Sequence, residues 1–240
     1  MNAITVCVEY HDFLARTLPS NAGHFEQVLV ITTAQDHKTQ EVVREVKNAS
    51  CFTTNAFYRD GCEFNKGAAI EDAIDFLGRE GWIALIDADT LLPRATSFKA
   101  ITPGNLYLAQ RRLCPSLDKF RFHRVKRKSE WPISEECLYL GGYFQLFHAC
   151  DPVLAQKPWY PTGWRHAGGP GPEFIEKWAP GRRHYFPWHV THIGPPRENW
   201  FGRVTRWPNG DLPREHRPRE KRMAQLALDR ERCGLVKERV

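Results

Sequence analysis

Five short apolar runs in the first 110 residues, spaced by stretches of helical period, limit what this chain can fold into more than any other feature. The runs are Ile4 to Val8, Gln27 to Thr32, Cys51 to Phe57, Trp82 to Ile86 and Leu106 to Gln110. Between the first two, Phe13 to Leu18 reads as a short helix closed by Pro19; after Asp36, a second helix would bury Val42, Val43 and Val46. The clearest helix spans Lys66 to Leu77. There Ile70, Ala73, Ile74 and Leu77 recur at i, i+3, i+4 and i+7, Glu71, Asp72 and Asp75 fall outside the stripe, and Gly78 and Gly81 end it. Strands alternating with helices predict an α/β fold, a doubly wound and mostly parallel sheet with helices on both faces. Its ligand crevice should lie beyond the strand C-termini.

Past residue 110 the regularity fades. One further strand is expected at Leu138 to Phe147 and a short helix at Phe174 to Trp178, around a Pro/Gly-rich stretch from Trp159 to Pro172. No internal repeat and no apolar-poor linker divides the chain, so a single domain over 1–240 is expected, with a regular half (1–110) and an elaborated, loop-rich half (111–240) that ends in a helix. Hydrophobic residues at 42% and charged ones at 26% exclude bulk disorder. No apolar run approaches the roughly 18 residues needed to span a bilayer. The N-terminus enters a strand pattern at once, and the seven cysteines are scattered without a Cys-x-x-Cys pair. A soluble cytoplasmic protein with reduced thiols is the expectation.

The fourth apolar run ends in Asp87-Ala88-Asp89. Residues i and i+2 of a strand point to one side, roughly 6.6 Å apart, so both carboxylates leave the core together. At the end of a parallel strand such a pair suits Mg²⁺ or Mn²⁺, which favour oxygen ligands and leave coordination positions for substrate phosphates. The competing reading is a solvated turn with Asx hydrogen bonds.

With Asn65-Lys66-Gly67 opening the preceding helix, and His189-Val190-Thr191-His192-Ile193-Gly194 followed by Arg197, Asn199 and Trp200, the order of features resembles the nucleotide-sugar-dependent glycosyltransferases of the GT-A fold. The resemblance covers roughly the first 110 residues and scattered pieces beyond. It implies a Rossmann-type sheet and a nucleotide-diphosphate sugar as donor. It further implies a Mn²⁺ or Mg²⁺ ion held by Asp87, Asp89 and His192, with Asp89 as direct ligand, His192 completing the protein set, and Asp87 either taking a second coordination position or bonding the ribose. Arg197 stands near where the family places a diphosphate-binding lysine. Thr5, Tyr10 and Asp36 fall where base and ribose contacts are made, although Tyr10 and Asp36 read equally as a loop residue and a helix cap. Lys66 can bring a cation to phosphate at a helix start, or lie exposed on an amphipathic helix. His189 reads as a non-ligand.

Sugar transfer needs charge on the leaving phosphate neutralised, and an inverting reaction also needs a general base. Glu173, after Gly168-Gly169-Pro170-Gly171-Pro172, fits the base; its alternative is to satisfy a first helical turn. The formal charge of +6 calls for an acidic partner. Basic residues interleaved with aromatics from Arg111 to Lys128, and a second cluster over 214–222, suit a polyanion or simply solvated faces. A compact enzyme of this kind resembles the viral glycosyltransferases that modify hydroxymethylated pyrimidines in DNA, with a hexose or pentose as the transferred sugar. The rivals are a nucleotidyltransferase and a non-enzymatic nucleic-acid-binding protein on an α/β scaffold.

Overall fold

The computed structural model describes residues 1–114 and 142–194, together with Leu117 and Phe120, all within one compact unit, Met1–Arg206. The described strands are β1 (Asn2–Val6), β2 (Gln27–Thr32), β3 (Ala49–Thr53), β4 (Trp82–Ile86), β5 (Thr90–Leu91), β6 (Leu106–Cys114), β7 (Phe144–His148) and β8 (Arg183–Ile193). The described α-helices are α1 (His11–Asn21), α2 (His37–Arg44), α3 (Lys66–Phe76) and α4 (Pro170–Glu176).

The strands form one sheet in the order β3-β2-β1-β4-β7-β6-β8-β5. From β3 to β4 every pairing is parallel; β7 then runs antiparallel to both β4 and β6, β8 is parallel to β6, and β5 is antiparallel to β8. Period-two alternation divides the core. Ile4, Leu29, Ile31, Ile83 and Leu85 pack with α3, α4 and Phe147, while Ala3, Val28, Val30, Ala84 and Ile86 pack with Leu14, Leu18 and Val43 of α1 and α2. The α/β sheet with helices on both faces is therefore present, parallel in its first half and mixed in its second.

Several boundaries differ from expectation for identifiable reasons. Cys51 to Phe57 is not one strand: β3 ends at Thr53, and Phe57 leaves the sheet in a 3-10 turn to stack on Phe64 with centroids 4.8 Å apart. Helix α1 runs through Pro19 to Asn21, whose side-chain amide donates to the Thr90 carbonyl at 2.8 Å and accepts from Leu92 N at 2.9 Å, fixing the last turn. Glu71 is buried rather than outside the apolar stripe, because the 159–161 segment covers that side of α3 and donates Trp159 N and Tyr160 N to its carboxylate at 3.0 and 2.9 Å. Helix α4 starts four residues earlier than expected, with Pro170 in its first turn, where a missing N–H is harmless. Among the described residues no helix is long and apolar enough to cross a membrane. Cys7, Cys51, Cys62, Cys114 and Cys150 are free. The expected strand start at 138–141 and the terminal helix lie outside the described residues.

Candidate functional site

Strand β4 delivers Asp87 beyond its last residue, Ile86, and the chain turns there at once: Thr90 N donates to the Asp87 carbonyl at 3.0 Å. Three neighbours pin the turn. Asp87 N donates to Tyr143 O (3.1 Å), Thr17 Oγ1 of α1 donates to Ala88 O (2.7 Å), and Ile193 N donates to Asp89 O (2.8 Å). The two carboxylates then part company. Asp87 is partly open, with 31% of its side chain exposed, whereas Asp89 keeps 8%.

The Asp89 carboxylate faces His192. The short β5 pairs with the end of β8 so that Thr90 lies opposite His192, and His192 Nε2 sits 3.4 Å from Asp89 Oδ2, both side chains buried. Burial pushes the His192 pKa below its ordinary value; Asp89 and Asp87 oppose this and Arg111 reinforces it, leaving a neutral imidazole at neutral pH. Its Nδ1 is buried without a hydrogen-bond partner among the described residues. A carboxylate beside a neutral imidazole is a donor pair suited to a divalent transition metal.

The expected trio around one cation is not assembled, however. Among the described residues no three His, Cys, Asp or Glu side chains form a group able to hold a metal. Asp87 pairs instead with Lys66, whose Nζ lies 2.5 Å from its Oδ1. Asn65 caps α3 by accepting Ala68 N at 2.8 Å and ties the helix start to Thr162 O at 2.9 Å, so Lys66 issues from a fixed first turn toward the end of β4.

Glu173 enters from the second half. A Cβ on Gly67 would stand 1.8 Å from Pro161 O and 3.3 Å from Pro170 Cβ, and one on Gly171 would stand 3.2 Å from Gly142 Cα. Glycine thus lets α3, α4 and the chain before Tyr143 close around a small crevice lined by Val6, Lys66, Asp87, Gly142 and Tyr160. Glu173 is exposed one turn further on, its Oε2 2.5 Å from the indole Nε1 of Trp164, which donates.

The remaining expected contacts fall elsewhere. Asp36 caps α2, accepting Thr39 N (3.1 Å), Glu9 N (2.6 Å) and Thr32 Oγ1 (3.0 Å), so its carboxylate is committed to joining β1, β2 and α2. Thr5 is buried inside β1. Tyr10 precedes α1, its ring 5.8 Å from that of Phe13. His189 pairs through Nε2 with Gln110 Oε1 at 2.9 Å. Arg111, expected on a basic face, is buried with its guanidinium 5.1 Å from the Tyr143 ring centroid. Arg197, the segment 121–128 and the cluster 214–222 lie outside the described residues. Sequence reasoning missed Thr17 and Asn21, which hold the Asp-Ala-Asp turn and β5. Their signal was present: two polar residues four apart on the helix face of Phe13, Leu14 and Leu18.

Comparison with solved structures identifies this architecture. A mannosyl-3-phosphoglycerate synthase from Rubrobacter xylanophilus matches with a TM-score of 0.53 at 12% identity, over 99% of this chain and 76% of that one. The fold is GT-A-like. HddC from Yersinia pseudotuberculosis also matches, with a TM-score of 0.50 at 11% identity, over 81% of this chain and 94% of that one. No family model matches the sequence, and a search of curated proteins returns no match. In GT-A-like terms, Asp87 and Lys66 stand where open α/β sheets bind ligands, past the carboxyl ends of β1 and β4 and beside the switch to the antiparallel β7.

Proposed function

We propose that the protein is a metal-dependent glycosyltransferase that moves a sugar from a nucleotide-diphosphate sugar to a hydroxyl acceptor. The observation that carries this reading is the Asp87-Ala88-Asp89 turn, with a buried neutral His192 against its second carboxylate and a lysine against its first. A fold neighbour named as a mannosyl-3-phosphoglycerate synthase supports the same class.

Each side chain has a task in this reading. Asp89 and His192 would hold a Mn²⁺ or Mg²⁺ ion, and such an ion would supply neutralisation of charge on the leaving diphosphate. Lys66, at the lip of the crevice, takes part of that charge as a point cation. Tyr10 borders the loop beyond β1, and the base of the donor lies against it. Glu173 accepts the proton of the acceptor hydroxyl, its carboxylate oriented by the indole N–H of Trp164. Nucleic acid as the acceptor rests on the basic sequence of 119–128 and 214–222 alone, since Arg111 is buried.

Purified protein with Mn²⁺ should be incubated with a panel of nucleotide-diphosphate sugars and three acceptor classes: hydroxymethylated DNA, sugars, and hydroxy acids. Release of nucleoside diphosphate together with labelled sugar on an acceptor is expected. Asp89→Ala should lower the rate by about 10³-fold, the scale of losing a principal electrostatic stabiliser, with folding unchanged by circular dichroism. Release of pyrophosphate would instead establish a nucleotidyltransferase. Salt-sensitive nucleic-acid binding indifferent to Asp89→Ala and to every donor would leave the binding-protein reading.

A further inference from the structure

We propose that a cleft at the start of β6 and β8, remote from the Asp87 turn, binds a small sugar phosphate, and does so with neither the aspartates nor a metal. Lys99, Thr102, Tyr107, Arg182, His184 and Phe186 line a volume of about 470 Å³ there. Clefts of roughly 300–1,000 Å³ are the size class that takes small organic ligands. The separation from the turn follows from the sheet. Tyr107 lies opposite His184 and Leu113 opposite His192, so six residues of β6, about 20 Å, stand between the two places.

The walls of the cleft are fixed by the fold. The rings of His184 and Phe186 lie near-parallel to that of Tyr107, at 31° and 28°, with centroids 5.6 and 5.5 Å away. The 99–105 segment is tied to this aromatic wall. Thr102 N donates to Tyr107 Oη at 2.9 Å, Asn105 Nδ2 donates to Thr102 Oγ1 at 2.9 Å, and Gly104 N donates to the buried carboxylate of Asp151.

These bonds also set the polarity of the cleft. Asn105 gives its amide nitrogen to Thr102, so its oxygen accepts, and His184 Nε2, at 3.1 Å from that oxygen, carries the ring proton. Nδ1 of His184 keeps a lone pair for a ligand hydroxyl. The Thr102 and Tyr107 hydroxyls, 3.4 Å apart, can share one proton and still have another to give. Lys99 and Arg182 add two cations, the latter set in place by the 3-10 turn Pro180–Arg182 that leads into β8. Among the described residues no carboxylate lines the cleft, and Asp151, the one that touches the 99–105 segment, is committed to Gly104 N and the Trp178 indole. A phosphate monoester brings about two negative charges and three acceptor oxygens, where a carboxylate brings one charge. Two cations with a hydroxyl donor therefore favour the phosphate, the aromatic wall suits the apolar face of a ring, and His184 Nδ1 takes a ring hydroxyl.

Isothermal titration calorimetry of the full chain with glucose 6-phosphate and ribose 5-phosphate, against inorganic phosphate and glucose, tests the assignment. One of the sugar phosphates should bind at least about tenfold more tightly than either fragment. Lys99→Gln and Arg182→Gln should each weaken that binding by about tenfold, the scale of one charge-assisted hydrogen bond. His184→Ala should weaken the sugar phosphate and leave inorganic phosphate unchanged, and Asp89→Ala should leave both unchanged. Equal affinity for inorganic phosphate and the sugar phosphates would mean an adventitious ion only, and would overturn the proposal. So would the absence of binding by both sugar phosphates, or binding that survives Lys99→Gln and Arg182→Gln but is lost in Asp89→Ala, which would place the ligand at the aspartate turn.

Discussion

The half of the molecule built on β1 to β4 and the half built on β6 to β8 meet at the Asp87 turn but are held together differently. In the first half, neighbouring strands are parallel, helices cover both faces, and alternating apolar side chains carry the structure. The second half shares the apolar core of Ile4, Leu29 and Leu85 through Phe147, Trp159 and Phe174, and adds buried polar clamps. Glu71 of α3 crosses between the halves, accepting from Trp159 N and Tyr160 N; within the second half Gln145 of β7 donates to Gly171 O and Asp151 receives the indole N–H of Trp178. An apolar face tolerates repacking, whereas a polar clamp works only while every partner is present. The crevice lies on the seam, so its geometry depends on the clamps.

Breaking Glu71 should therefore cost most. Glu71→Ala strands two buried backbone N–H groups and removes one of the two carboxylates on Arg79, whose guanidinium also covers the Trp159 ring at 4.7 Å. A loss of about 3–5 kcal/mol is expected, read by urea denaturation. If the loss were under 1 kcal/mol, the second half would be held by its apolar contacts and the contrast between halves would fail.

Gly67→Ala attacks the same seam by overpacking. The added methyl meets the carbonyl of Pro161 at 1.8 Å, a backbone atom that cannot rotate away. About 1–3 kcal/mol should be lost, and the crevice beside Lys66 should widen, so donor affinity falls in parallel. An alanine variant with wild-type stability would show that the 159–161 segment moves freely relative to α3.

Legibility in the sequence follows the same division. Period-two and period-3.6 patterns revealed the strands and helices of the first half, because burial there follows from the chain's own alternation. The junction of β4 with the Asp-Ala-Asp turn was readable for that reason, and so was the nearness of a late histidine, through the family resemblance. Partnerships set by the fold were not readable. Nothing local to Glu71 says that residues 88 and 89 positions away will donate to it, and nothing local to Asp36 distinguishes a nucleotide contact from a carboxylate that ties Glu9, Thr32 and Thr39 together. The Lys66–Asp87 pair belongs here too. Each residue was singled out on its own, yet their contact depends on how α3 meets the end of β4.

A smaller effect is expected inside the first half. Thr17→Val removes the hydrogen bond onto Ala88 O while keeping shape, leaving one buried carbonyl less satisfied at about 1–2 kcal/mol. Since that carbonyl sits between the two aspartates, turnover should fall by more than the stability change alone would cause. Proportionate loss of both would make Thr17 a packing residue.

Alkali provides the gentlest probe, and it reaches the halves at different pH. Burial raises the Cys7 thiol, just past β1, from 9.0 to about 12; its hydrogen bond with Thr39 opposes the shift and Asp36 adds to it. The unfolded thiol ionises above pH 9 while the folded one does not. The stability that Cys7 protects is therefore complete below pH 9 and is lost progressively as pH rises toward 12, by about 1.4 kcal/mol at pH 10 for a tenfold excess of thiolate in the unfolded chain. Tyr160, in the second half, is also raised by burial, with Asp87 contributing, but its ordinary value is 10.0, so its loss begins a unit higher. Half-buried Cys51 shares the lower window with a smaller burial effect. Urea denaturation at pH 8, 9, 10 and 11 should show wild type weakening from pH 9. Cys7→Ala should flatten the segment from 9 to 10 and Tyr160→Phe only the segment above 10. A wild-type curve flat to pH 11 would mean that water reaches both groups and that neither face of the sheet is sealed at the crevice.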